Sequence, residues 1–289
     1  MVSPILEYGS AIWGLKEFSC INAVHNRACR VFLGVRRHSP NLAIQAELGW
    51  KTPYHRTILN ITRLLCRLTS MCHNRLTRKV FDWSVALARS NKKNWCFRVM
   101  STFSALGLQH LNDVSIQHCS TDVLEYMDVC IFEDLEQKWH LELWNDQRRN
   151  GCGNKLRTYR TFKKDFREES YLNMRLTLSQ RRALASLRCG VAPLRIETGR
   201  YSQLPVNDRI CEMCDSGNVE NEKHFLMSCN LYDDIRDELF LYANSSHTIF
   251  GEWSLDDQFM FLISNSKIVC HTAKACQIML QRREHKLYR

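Results

Sequence analysis

The chain has 289 residues, 45% of them hydrophobic, which is enough to bury a core and excludes a disordered polymer. Fourteen cysteines without a regular framework, and an opening Met1-Val2-Ser3-Pro4 lacking a basic region and a long apolar stretch, exclude a secreted disulfide scaffold; reduced thiols in an intracellular setting, nucleus or cytoplasm, are expected. No apolar run approaches the ~18–20 residues that cross a bilayer, and a formal charge of +10 points to polyanionic partners or to a solvated basic surface rather than to a membrane.

Apolar residues recur at three- and four-residue steps through Ile21, Val24, Ala28, Val31 and Val35, then through Ile58, Ile61, Leu65 and Leu68, and predict two helices. Gly34 and Pro40 punctuate them, and Asn41–Leu48 reads as a short helix capped by Asn41 and stopped near Gly49. Helices are also expected over 76–88 and 95–106, with a polar linker over 109–120. The strongest helix signal follows in Leu124, Met127, Ile131, Leu135, Trp139 and Leu143, and Gly151 and Gly153 mark a break after it. Val269, Ala273, Cys276 and Leu280 predict a last helix leading into a basic tail. Cys270 and Cys276 have no histidine at ligand spacing and read as small buried hydrophobes. His25, His55, His73 and His118 likewise have no partners at such spacing and take no role. The expected fold is therefore mainly α, in helical-bundle segments.

Cys211, Cys214, His224 and Cys229 form a Cys-x2-Cys-x9-His-x4-Cys array, a complete tetrahedral ligand set in one short segment. Three thiolates and one imidazole suit Zn2+, and four protein ligands close the site, so the metal is read as structural. Asp215, Ser216, Gly217 and Asn218 supply the residues that a tight turn between ligands tolerates. Coincidence and a redox pair are the competing readings; the redox pair lacks its usual βαβ setting. His224 and Cys229 are expected around the start of a helix through Leu231, Ile235 and Leu239.

Residues 151–210 carry thirteen Lys or Arg against five Asp or Glu, most of the chain's excess, just before the metal array. Lys155, Arg157, Arg160, Lys163, Lys164 and Arg167 alternate with Tyr159, Phe162 and Phe166, a mixture able to neutralise phosphates and stack bases. Leu156, Tyr159, Phe162 and Phe166 also fall on one helical face, so the aromatics are read as core and the cations as the solvent face. Arg181, Arg182, Arg188, Arg195 and Arg200 extend that basic face toward the metal array, with Arg209 beside it.

Several of these segments together resemble the carboxyl-terminal portion of a LINE-type (non-LTR) retrotransposon reverse transcriptase. Pro4-Ile5-Leu6-Glu7-Tyr8-Gly9-Ser10-Ala11-Ile12-Trp13-Gly14 is similar to the stretch that follows the palm in these polymerases. Val24-His25-Asn26-Arg27-Ala28-Cys29-Arg30-Val31-Phe32-Leu33-Gly34 resembles the thumb-like helix, and the match continues from Pro40-Asn41 to Glu47-Leu48-Gly49-Trp50. Lys155-Leu156-Arg157-Thr158-Tyr159-Arg160 and the array with His224-Phe225-Leu226 resemble the family's terminal region. The resemblance covers both ends of the chain and the middle loosely. It implies a segment that helps to grip template RNA or target DNA.

Polymerases of that family need palm carboxylates to hold two metal ions, and this chain reads as starting after them, a truncated frame. Tyr232-Asp233-Asp234 has the look of the family's catalytic turn, but the segment continues through Ile235 and Leu239 in helical period, and acidic residues in a first helical turn are ordinary dipole partners. No catalytic residue is assigned and no polymerase activity is expected. The organisation expected is a thumb-like helical region (1–108), a linker with a long helix (109–150), a basic region with the zinc module (151–245) and a carboxyl-terminal helical region (246–289). The function expected is zinc-stabilised, largely non-sequence-specific binding of RNA or DNA backbone. The alternative is a structural or protein-interaction remnant whose apolar helices seek the missing palm or another chain.

Overall fold

In a computed structural model the described residues are 5, 7–108, 121–145 and 155–288. The expected linker over 109–120, His118 and the glycine break at Gly151 and Gly153 lie outside them. In chain order the helices are α1 (Ser10–Trp13), α2 (Ser19–Leu33), α3 (Asn41–Leu48), α4 (Pro53–Thr69), α5 (Leu76–Arg89), α6 (Trp95–Ala105), α7 (Thr121–Asn145), α8 (Tyr159–Phe162), α9 (Leu178–Arg188), α10 (Arg195–Thr198), α11 (Glu222–Met227), α12 (Asp233–Ser246), α13 (Leu255–Ser264) and α14 (Val269–Leu287). The fold is mainly α; among the described residues the only β pairing is an isolated antiparallel bridge between Ile210 and Val219. No described helix is long and apolar enough to cross a membrane. Eleven described cysteines are free thiols, whereas Cys66 is disulfide-bonded and so departs from the reduced set expected.

The chain divides into two compact units, one of described residues up to His25 with Lys51–Lys138, the other of Asn26–Trp50 with described residues from Trp139 onward. This differs from four consecutive segments, because residues 26–50 fold with the carboxyl-terminal half.

In the first unit α4 begins at Pro53 because Thr52 adopts the extended cap conformation and its hydroxyl accepts from His55 N–H (3.4 Å), while Pro53 has no amide to leave unpaired. Its buried face, Ile58, Leu59 and Ile61, meets Val99 and Phe103 of α6 and Met127 and Ile131 of α7. Asn94 caps α6 by accepting from Phe97 N–H (2.9 Å) and donates to the Ser84 carbonyl of α5 (2.7 Å). The α7 stripe is buried as expected at Met127, Ile131, Leu135, Trp139 and Leu143, the last two in the second unit.

In the second unit, α9 and α11–α14 enclose the largest core, centred on Leu187, Leu194, Phe225, Leu226, Tyr232, Phe259, Leu262 and Met279. Against it sits α3, held by Trp139 Nε1 donating to the Leu42 carbonyl (3.0 Å) and Tyr159 Oη donating to that of Ala43 (3.2 Å). The α3 cap is Pro40, extended at ψ 134°; Asn41 is the first helical residue, and its Oδ1 accepts from Arg30 instead of capping. The helix does stop at Gly49, in the left-handed region.

This unit holds an ionic network built on two wholly buried side chains, Arg188 and Glu47. Arg188 forks onto Glu47 through Nε and Nη2 (both 2.9 Å), Nη2 also meets Glu169 (2.8 Å), and Nη1 donates to the Ile263 carbonyl. Tyr171 Oη donates to Glu47 (2.6 Å), Lys163 pairs with Glu169, and the Arg188 guanidinium lies 4.4 Å from the Phe162 ring centroid.

Gly190 turns the chain after α9 at φ +64°, and a Cβ there would lie 1.9 Å from the Lys155 carbonyl oxygen. Gly190→Ala therefore combines left-handed strain with a backbone clash, and we expect a loss of about 2–4 kcal/mol. Gly107→Ala, equally left-handed but with nothing within 4 Å of the new Cβ, should cost about 1 kcal/mol. Urea denaturation of both variants tests this; equal costs would contradict the close approach at Gly190.

Candidate metal centre

The ligand-bearing segment opens as a small hairpin. Cys211 N–H donates to the Asn218 carbonyl (2.8 Å) and Glu220 N–H to that of Arg209 (3.0 Å), around the Ile210–Val219 bridge. Gly217, at φ +67°, lies in the turn that returns the chain to Asn218 and Val219 opposite Cys211 and Ile210. His224 comes from the first turn of α11, where Asn221 caps the helix by accepting His224 N–H (2.8 Å). Cys229 follows α11, and its N–H donates to the His224 carbonyl (2.9 Å). The two carboxyl-terminal ligands thus belong to a separate six-residue helix and its exit, rather than to the start of the helix through Ile235 and Leu239, which is α12. The short α11 exists because Ser228 leaves the helical region and Cys229 turns back onto His224.

One ligand atom from each of the four residues lies within 4.8 Å of all the others, so the group could hold a metal ion. Cys211 Sγ and Cys229 Sγ are 3.9 Å apart, and Cys214 Sγ and His224 Nε2 are 3.4 Å apart. A tetrahedral centre with metal–sulfur bonds of ~2.3 Å puts its sulfurs about 3.8 Å apart, close to the Cys211–Cys229 separation. Cys211, His224 and Cys229 are buried and Cys214 is half-buried.

Burial pushes the Cys211 thiol up to about 12 and raises that of Cys229. At Cys214 burial acts in the same sense, but hydrogen bonds from the Ser216 hydroxyl and backbone hold the thiol below its ordinary value. Burial, reinforced by Arg236, lowers His224 and favours the neutral imidazole that a metal requires.

Arginines brace the module from within. Arg236 donates from Nε to the Leu226 carbonyl (3.1 Å) and from Nη2 to that of Cys229. Arg209 is spent on the Ile196 (2.8 Å) and Leu204 (3.0 Å) carbonyls. Glu220, fully buried in the hairpin, receives Arg283 through two bonds (2.7 and 2.8 Å) and the Arg195 N–H (2.6 Å).

The nine expected nucleic-acid contacts separate sharply. Arg160 and Lys163 are buried: Arg160 donates to the Leu143 carbonyl (2.8 Å) and Lys163 to that of Arg167 (2.6 Å) and to Glu169. Lys155 pairs with Glu197 (3.0 Å), Arg157 with the buried Glu222, and Arg200 with Glu197 (3.5 Å). Arg181 lies over the Phe32 ring at 4.9 Å. Lys164, Arg167 and Arg182 are exposed, Lys164 reaching the Arg160 carbonyl at 3.3 Å. Of the extensions, Arg188 is wholly buried and Arg195 meets Glu212 (3.2 Å). The continuous basic face is thus reduced, because carboxylates distant in sequence absorb much of its charge.

The aromatics sit as read: Leu156, Tyr159 and Phe166 are buried, but only Tyr159–Phe162 is helical there, since Lys163 leaves α8 in an extended conformation. Asp233 and Asp234 occupy the first turn of α12, Asp233 with Arg236 and Asp234 forked by Arg282. Arg36 and Arg37, exposed after the Gly34 turn, were not among the expected contacts.

Comparison with models of protein families, with curated proteins and with solved structures gives no match.

Proposed function

We propose that Cys211, Cys214, His224 and Cys229 form a structural zinc site and that the module it holds belongs to a non-catalytic, nucleic-acid-binding segment, the carboxyl-terminal portion of a LINE-type reverse transcriptase. The observation that carries the metal reading is the mutual approach of the four donors, with sulfurs at 3.9 Å. Three thiolates and an imidazole select zinc over harder cations, and four protein ligands leave no open position for an activated water. The zinc acts as a clamp that fixes hairpin, α11 and the entry to α12. Support for nucleic-acid binding lies in the chain's basic excess and in cations such as Arg167 and Arg182 that remain exposed. Contacts of this kind position phosphates without reading bases, so binding is salt-sensitive and largely non-specific.

A second reading rests on a different surface. In the first unit Leu76, Val80 and Trp83 of α5 are 77%, 53% and 66% exposed at helical spacing, an apolar stripe of the kind that protein partners cover.

Elemental analysis of the purified full chain, beside a Cys211→Ser/Cys229→Ser variant, tests the metal; one zinc per chain, lost in the variant, is expected. Titration with RNA and single-stranded DNA across a salt series tests the rest. A folded wild type without zinc defeats the metal reading. Zinc without salt-dependent binding would favour the protein-interaction reading.

A further inference from the structure

Cationic side chains in the second unit fall into two groups. Arg157, Arg188 and Arg283 are spent on buried carboxylates, Lys163 on the half-buried Glu169, and Arg160, Arg209 and Arg236 on backbone carbonyls. Others, such as Arg167 and Arg175, are exposed with no side-chain partner among the described residues, a state that Arg36 and Arg182 share. Arg36 and Arg182 also line one cavity of 470 Å³, between the Gly34 turn, α9 and α14. Gly34, at φ +72°, allows this: a Cβ there would stand 3.3 Å from Arg182 Cβ and 3.4 Å from its Nε.

Beside the two guanidinium groups the cavity offers apolar atoms of Val35, Val191, Pro193 and Leu280, and the amide of Gln281. Its volume is within the range of small-ligand sites, about 300–1,000 Å³. Arg283, which also lines it, is neutralised by Glu220, so the two free arginines set the local charge against a single carboxylate, Glu284. Two unpaired guanidinium groups next to an apolar floor match an anion attached to a flat, weakly polar body. A phosphate with its base has that form. In a duplex the bases are turned inward and the floor would stay unused; in a single strand a base can swing onto it.

We infer that this cleft seats one nucleotide of a single-stranded nucleic acid, the phosphate held by Arg36 and Arg182 and the base laid on Val35, Val191, Pro193 and Leu280. The inference rests on the nucleic-acid reading above and gives it a location. Glu284, facing the same strand, opposes additional phosphates.

The test is titration of the full chain with a labelled oligothymidylate over a series of salt concentrations. Arg36→Ala/Arg182→Ala should weaken binding about tenfold and reduce the slope of log K against log salt by about 0.7, the value for the one single-strand phosphate that the pair holds. Glu284→Gln should tighten it. Arg167→Ala/Arg175→Ala, which removes two exposed cations outside the cleft, should change affinity less than about threefold. A cleft variant with wild-type affinity and slope, or an equal loss in both double variants, overturns the cleft and leaves nucleic-acid binding standing. A wild type that binds no oligonucleotide overturns both. The Arg36 and Arg182 side chains hold no hydrogen bond or ion pair among the described residues, so unchanged thermal melting is the control expected of the cleft variant.

Discussion

Cys229→Ser should be the most damaging single change in the chain. Its thiol is 1% exposed, its sulfur stands 3.9 Å from Cys211, its N–H is bonded to His224, and its carbonyl receives Arg236. Structural zinc sites contribute apparent binding energies of about 10–16 kcal/mol in small peptides, against about 5–15 kcal/mol for the whole stability of a domain. The hairpin's strand pairing amounts to one bridge, so apart from the bonds of Arg209 and Glu220 it depends on its four ligand residues. Directly behind it lie Phe225, Leu226 and Tyr232, all at 0% exposure in the large core. A loss on the order of 5 kcal/mol or more is therefore expected, spreading beyond the ligands. Thermal melting of the wild type with and without a chelator, beside the variant, checks this. A wild type whose transition ignores the chelator, matched by the variant, would show that no metal supports the module.

Arg188→Met should rank second, at about 3–5 kcal/mol, because it strands a carboxylate that is 0% exposed. Glu47 would keep the Tyr171 hydroxyl but lose both guanidinium bonds, and Glu169 would lose one partner. Replacing the set together, as Glu47→Leu/Arg188→Met/Tyr171→Phe, should recover most of the loss, since the charges left there, Lys163 and Glu169, still pair with each other. Chemical denaturation of the single and triple variants decides; a single variant within about 1 kcal/mol of wild type would mean that the network is not formed. Acid titration gives an independent reading. Burial drives the Glu47 carboxyl upward, but Arg188, with Lys163 and Tyr171, holds it net below the ordinary glutamate value of 4.5. Its contribution is complete above pH 4.5 and is lost as pH falls through the lower native value, so the wild type should lose stability there and the triple variant should lack that component.

The helices were legible where their apolar stripes were long, as at Met127, Ile131 and Leu135, and so was the ligand array, because its spacing is local. The fate of the basic segment was not. Sequence counts Arg160, Lys163 and Arg188 as surface charge, yet their partners are a backbone carbonyl, Glu169 and Glu47, the last 141 residues from Arg188. Periodicity also placed Leu156, Tyr159, Phe162 and Phe166 on one helical face, but Lys163 folds its own amine back onto the Arg167 carbonyl and Glu169, and the helix ends after four residues. Adjacent ligands in one motif likewise said nothing of the break between α11 and α12 that separates Cys229 from both helices.

The 141 residues between Glu47 and Arg188 also order events on the ribosome. At about 5–20 residues per second, α3 emerges roughly 10–30 seconds before the arginine that completes its burial. For that interval Ala43, Ile44 and Leu48, buried in the finished fold, lack the later residues that cover them. The carboxylate of Glu47, costly to bury alone, keeps the waiting helix hydrated and resists its premature collapse onto other apolar segments. The same side chain that locks the finished fold thus acts first as a solubilising group, and residues 51–138 can assemble while it waits.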